Sequence, residues 1–132
     1  LALSNNVFVS EGVFAGLEES EPEGNSQVLI KIDTGDGIHP FAAKGHPKVE
    51  DGQICLNGLQ RRFLQLSLGA TVSIKRFVPP PNFALLRLEF GVDFLSKAAT
   101  KRRRDIDTDR LAMDVKTNYE GHAFARDRIL AM

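Results

Sequence analysis

Three consecutive prolines, Pro79-Pro80-Pro81, constrain this chain more than any other stretch. Each ring fixes φ at about −65° and removes a backbone N–H, so neither a helix nor a central strand can run through Val78–Asn82. The segment is expected to be a short, stiff polyproline II spacer, and the border between two subdomains is placed there. A length of 132 residues suits one domain, or two small subdomains sharing an interface.

Before the prolines the pattern is that of short strands and turns. Val28, Ile30 and Ile32 alternate with Gln27, Leu29 and Lys31, a period of two. Asp33-Thr34-Gly35-Asp36-Gly37 supplies turn residues, and Phe41-Ala42-Ala43 is the expected return strand of a hairpin. Ile54-Cys55-Leu56 reads as a short buried strand, Asn57 to Gln65 as irregular helical turns, and Thr71 to Arg76 as a strand with Val72 and Ile74 facing inward. Glu18 to Gly24 carries four Glu and one Pro, which predicts a solvated loop tip.

Beyond the prolines, Ala84, Leu86, Leu88, Phe90, Val92 and Phe94 alternate with a wet face bearing Arg87, Glu89 and Asp93, which predicts one long strand. A basic loop, 97–104, follows. Asp107 or Thr108 can cap a helix whose apolar stripe is Leu111, Ala112, Val115 and Tyr119, with Gly121 placed to end it. Ile129 to Met132 reads as a strand just begun. The expected fold is mainly β with an α/β part, and the second part reads as incomplete.

Charge is distributed unevenly although the net charge is zero. Residues 61–104 hold ten basic residues against two acidic ones, Glu89 and Asp93, so that stretch is expected to meet an electrostatic partner. A single cysteine, Cys55, rules out an intrachain disulfide and fits a reducing compartment. Leu1 is not an initiator Met, so the chain is expected to be a trimmed piece of something longer, and no signal peptide is read at its start.

Motifs for chemistry are weak. Asp33-Thr34-Gly35 matches the aspartic-protease triplet, but that chemistry needs two carboxylates sharing a proton, and Asp36-Gly37 makes the stretch a hairpin turn. His39, His46 and His122 lack the spacing of a zinc site. No G-x-x-x-x-G-K-[ST] segment is present, so the chain carries no phosphate-cradling loop. No catalytic or metal-ligating residue is assigned. Lys97 with Lys101, Arg102, Arg103 and Arg104 forms a cation cluster able to meet phosphates on nucleic acid or lipid, yet its nearest aromatic, Phe94, falls on the apolar face and offers no stacking platform. Arg61 and Arg62 follow the Ile54–Leu56 strand, point in different directions, and suit bidentate capture of carboxylates.

Several stretches together resemble one family. Asp51 to Phe77, DGQICLNGLQRRFLQLSLGATVSIKRF, is similar to the amino-terminal domain of the N-ethylmaleimide-sensitive factor, an ATPase of membrane fusion. VPPPNFALLRLEFGVDFLSK looks closest to plant-type members. DTDRLAMDVKTNYEGHAF resembles the family's helix and the strand after it, and LALSNNVFVS resembles its start. The first pattern is shared more loosely with other ATPases of the class, such as valosin-containing protein.

The resemblance implies a double-psi β-barrel over 1–78, a linker at 79–82, and a small α/β subdomain over 83–132 that continues past Met132 in the family. It implies docking of soluble attachment proteins (SNAPs), and through them SNAREs, by basic residues near a groove between the two parts. Arg61 and Lys97 match the family's basic positions. Arg62, Lys101, Arg102, Arg103 and Arg104 complete the expected protein-binding set, since Ala98 stands where animal members carry a second Lys. The chain itself is expected to hold no cofactor. ATP and Mg belong to ATPase domains elsewhere in the parent, which would be a homo-hexamer while this piece is a monomer. Location is expected in the cytoplasm, peripheral to Golgi and vesicle membranes, with no nucleic-acid partner and no membrane insertion.

Overall fold

The computed structural model describes residues 4–19, 27–94 and 105–132. Its contacts divide into two compact units, Leu1–Val78 with Gly121–Met132, and Pro79–Glu120.

The first unit is a mixed five-stranded sheet with few helices. Its elements are β1 (Val7–Val9), α1 (Glu11–Glu18), β2 (Leu29–Asp33), β3 (Ile38–Gly45), β4 (Ile54–Cys55), α2 (Gly58–Phe63) and β5 (Ser73–Arg76). The strand order is β4-β1-β3-β2-β5, with β1 parallel to β3 and the other pairings antiparallel. The expected hairpin forms as β2 and β3, in the register Ile30 opposite Phe41. Its turn closes through Gly35, at φ 86°, whose N–H donates to Asp33 Oδ1 at 2.9 Å.

β3 is longer than the expected Phe41–Ala43 because Pro40 is accommodated inside it. Ala43 N donates to Val28 O, which makes 28/43, 30/41 and 32/39 the hydrogen-bonded pairs of this ladder. Pro40 sits between them, so its missing N–H falls on the side away from β2. β1 pairs only with Ala43–Gly45, and the sheet loses no hydrogen bond there.

Val7, Ile30, Ile32, Phe41, Ala43 and Leu64 make the core, with Val72 and Ile74 packed against it as expected. Cys55 is half-buried rather than buried, because β4 is the two-residue edge of the sheet. α1 is an element the strand-and-turn reading does not contain. Ser10 caps it, accepting from Val13 N at 3.2 Å and donating to Asp51 Oδ1 at 2.5 Å.

In the second unit, α3 (Thr108–Tyr119) begins at the Asp107 cap, and Gly121 at φ 74° follows its end. Leu111, Val115 and Tyr119 are its covered positions, whereas Ala112 is exposed. The expected strand over 84–94 does not form. A strand exists only where a neighbour completes its hydrogen-bond ladder, and no described segment pairs with this one. Leu86, Leu88, Phe90 and Val92 are consequently exposed instead of facing a core. Arg87 and Glu89, on the polar side of the alternation, form a surface ion pair at 2.6 Å.

Residues 121–132, expected with the second part, pack with the first unit instead. They form no strand. Asn5 does a ladder's work with its carboxamide: Nδ2 donates to Ala131 O at 2.7 Å and Oδ1 accepts from Ala131 N at 3.1 Å. Arg128 lies 4.0 Å over the Phe41 ring and donates to Pro40 O, Asn5 O and Ala123 O. The Pro40 carbonyl that faces away from β2 thus gains a guanidinium partner.

A candidate protein-binding site on α2

The sequence that builds the site is Asn57-Gly58-Leu59-Gln60, a reciprocal helix cap. Gln60 N donates to Asn57 Oδ1 and Asn57 N donates to Gln60 Oε1, both at 2.8 Å, so two N–H groups that helix geometry leaves open are satisfied. The same two side chains pin the helix to the start of β1. Asn57 Nδ2 donates to Ser4 O at 2.6 Å, and Gln60 Nε2 donates to Asn5 O at 3.2 Å and Asn6 O at 3.1 Å. Gln60 is 4% exposed, a buried polar group with its hydrogen bonds made.

Arg61 and Arg62 follow on the last turn. Their carbonyls accept the two bonds of a Schellman ending: Leu66 N donates to Arg61 O at 2.9 Å and Gln65 N to Arg62 O at 3.2 Å, with Gln65 at φ 55°. The backbone of both arginines is fixed at its carbonyl, and the C-terminal end of the helix favours cations there. Adjacent helical residues diverge, and Arg61 is half-buried while Arg62 is exposed. Neither has an ion-pair partner among the described residues. What the arrangement offers is two guanidinium groups on a pinned helical turn, each able to take a carboxylate from another molecule.

Lys97, Lys101, Arg102, Arg103 and Arg104 lie outside the described residues, as does most of the Glu-rich stretch 18–24. Asp33 of the protease-like triplet sits exposed in the hairpin turn, holding Gly35 N. His39 and His46 pack edge-on against Phe63 and Phe8. Among the described residues no three of His, Cys, Asp and Glu gather around a possible metal position, and no helix is long and apolar enough to cross a membrane.

Two contributors escape a reading by residue type, Gln60 and Arg128. The N-x-x-Q cap spacing was available for Gln60; nothing local marks Arg128, whose partners Asn5 and Pro40 are far away in sequence.

No family model matches the chain. Over 75 residues, 57% of the chain, it is 39% identical to the vesicle-fusing ATPase of Arabidopsis thaliana. The match spans about a tenth of that relative's length, 10%.

Proposed function

We propose that the chain is a recognition module of a vesicle-fusing ATPase, which docks an acidic soluble attachment protein carrying a SNARE bundle. The observation that carries the reading is the 39% identity to such an ATPase over 75 residues. Arg61 and Arg62, held on a doubly capped helix and without an ion-pair partner among the described residues, support it. Lys97, Lys101, Arg102, Arg103 and Arg104 join them in this reading as further cations for the same partner. The module contributes recognition; ATP and Mg act in ATPase domains of a hexameric parent, in the cytoplasm at Golgi and vesicle membranes. The finer fold reading is a double-psi β-barrel for the first unit, which the parallel β1–β3 pair inside an otherwise antiparallel sheet supports.

Recognition between guanidinium or ammonium groups and exposed carboxylates is screened by salt. The test is the affinity of the purified chain for an immobilised SNAP–SNARE complex across a salt series. Affinity is expected to fall roughly tenfold or more between about 50 mM and 500 mM salt, as a rim of charge contacts would. A folded chain with no affinity at low salt, or with affinity indifferent to salt, overturns the reading.

A further inference from the structure

Lys31 of β2 stands directly opposite Lys75 of β5. Phe77 N donates to Leu29 O at 2.9 Å and continues that register, so Leu29–Phe77, Lys31–Lys75 and Asp33–Ser73 are the hydrogen-bonded pairs. Partners in such a pair have α-carbons about 5.5 Å apart and side chains on the same face. Two like charges placed so oppose strand pairing. Neither lysine has an ion-pair partner among the described residues. Asp33, the acid on that face of the ladder, accepts from the N–H of Gly35 at Oδ1.

On the other side of β2, Pro40 stands opposite Lys31 and Ile38 opposite Asp33. Leu29 and Ala42 next to them are buried, while Ile38 is 62% exposed. The face therefore grades from a covered apolar end, through the two lysines beside a proline, to an open isoleucine. Close to apolar cover the effective dielectric falls, and a carboxylate between two ammonium groups gains more than in open water.

We propose that this face of β3, β2 and β5 docks an acidic protein segment with an apolar residue among its carboxylates. The carboxylates lie between Lys31 and Lys75, and the apolar side chain covers Ile38 and Pro40. Charge complementarity selects the occupant, because an anion between the two ammonium groups relieves the repulsion within the lysine pair. The inference deepens the adaptor reading, and rests on it for the source of the segment.

The test compares K31E/K75E, K31Q/K75Q and I38S with the wild-type chain and R61E/R62E against the SNAP–SNARE complex, with thermal unfolding of each variant measured in parallel. K31E/K75E is expected to bind roughly tenfold more weakly, K31Q/K75Q and I38S less so, with unfolding temperatures held or, for K31Q/K75Q, raised. Loss of binding by R61E/R62E with full binding by the lysine variants overturns this inference and leaves the adaptor reading standing. So does a K31Q/K75Q chain that self-associates with unchanged binding, since the lysines would then only guard β5, an edge strand among the described residues.

Should the wild-type chain not bind the complex, the adaptor reading fails and a synthetic peptide of alternating Glu and Leu decides the surface. Shifts of the Lys31 and Lys75 amide resonances on titration, lost in K31Q/K75Q, sustain it; a flat titration overturns it.

Discussion

Phe41→Ala is expected to lower stability by about 4 kcal/mol, within the range measured for deleting a buried aromatic ring. Phe41 is fully buried at the centre of the sheet, opposite Ile30, in the cluster with Val7, Ile32, Ala43 and Leu64. Its removal opens a void that the neighbouring backbone cannot collapse into, since β2 is fixed to β3 by its ladder at Ile30–Phe41 and β1 by its pairing at Ala43–Gly45. It also removes the ring beneath the Arg128 guanidinium. Domains of this size have stabilities of about 5–15 kcal/mol, so the loss takes a large share. Urea denaturation followed by far-ultraviolet circular dichroism measures it. The segment 121–132, seen by amide hydrogen exchange at Arg128 and Ala131, should loosen in the same variant.

Gln60→Leu is expected to cost about 3 kcal/mol although it adds apolar surface to a buried position. The substitution leaves Asn57 N without the Gln60 acceptor, and takes one donor from each of Asn5 O and Asn6 O. Arg128 still serves Asn5 O, which limits the loss there. Buried backbone groups stripped of partners carry their whole desolvation penalty, about 1–3 kcal/mol each, and partial access of water brings the sum down. The midpoint of urea unfolding reports it. A change under about 0.5 kcal/mol, typical of an ordinary surface substitution, would show that the pin between α2 and the start of β1 contributes nothing. A second readout follows from position: Arg61 and Arg62 belong to the pinned helix, so adaptor affinity should fall in Gln60→Leu well below its unfolding temperature.

What the residues disclose in advance is what short-range chemistry decides. The hairpin between β2 and β3 was legible from a period of two around turn residues. α3 was legible from the Asp107 cap and from Gly121, which takes the positive φ it was expected to take. The N-x-x-Q spacing at Asn57–Gln60 contains the whole capping box, and with it the placement of Arg61 and Arg62 on one helical turn.

Other features depend on partners far away in the chain. β1 is three residues long and exists through its parallel pairing with β3, which no local pattern announces. α1 has two glycines in eight residues, a poor helix by propensity, and is held by the Ser10 cap and its bond to Asp51. The alternation at 84–94 states a requirement for a neighbouring strand and cannot supply one. Arg128 illustrates the same limit at the level of a single side chain, since the Pro40 carbonyl it serves faces outward only once the β2–β3 register is set.

The central claim is that the cations on α2 take carboxylates from an acidic attachment protein. The most direct measurement is the dissociation constant of R61E/R62E for the SNAP–SNARE complex at low salt, against the wild-type chain, with both shown to be folded. A rise of roughly tenfold or more, together with a flatter dependence on salt, is the result the account predicts. An unchanged constant in a folded variant would contradict it.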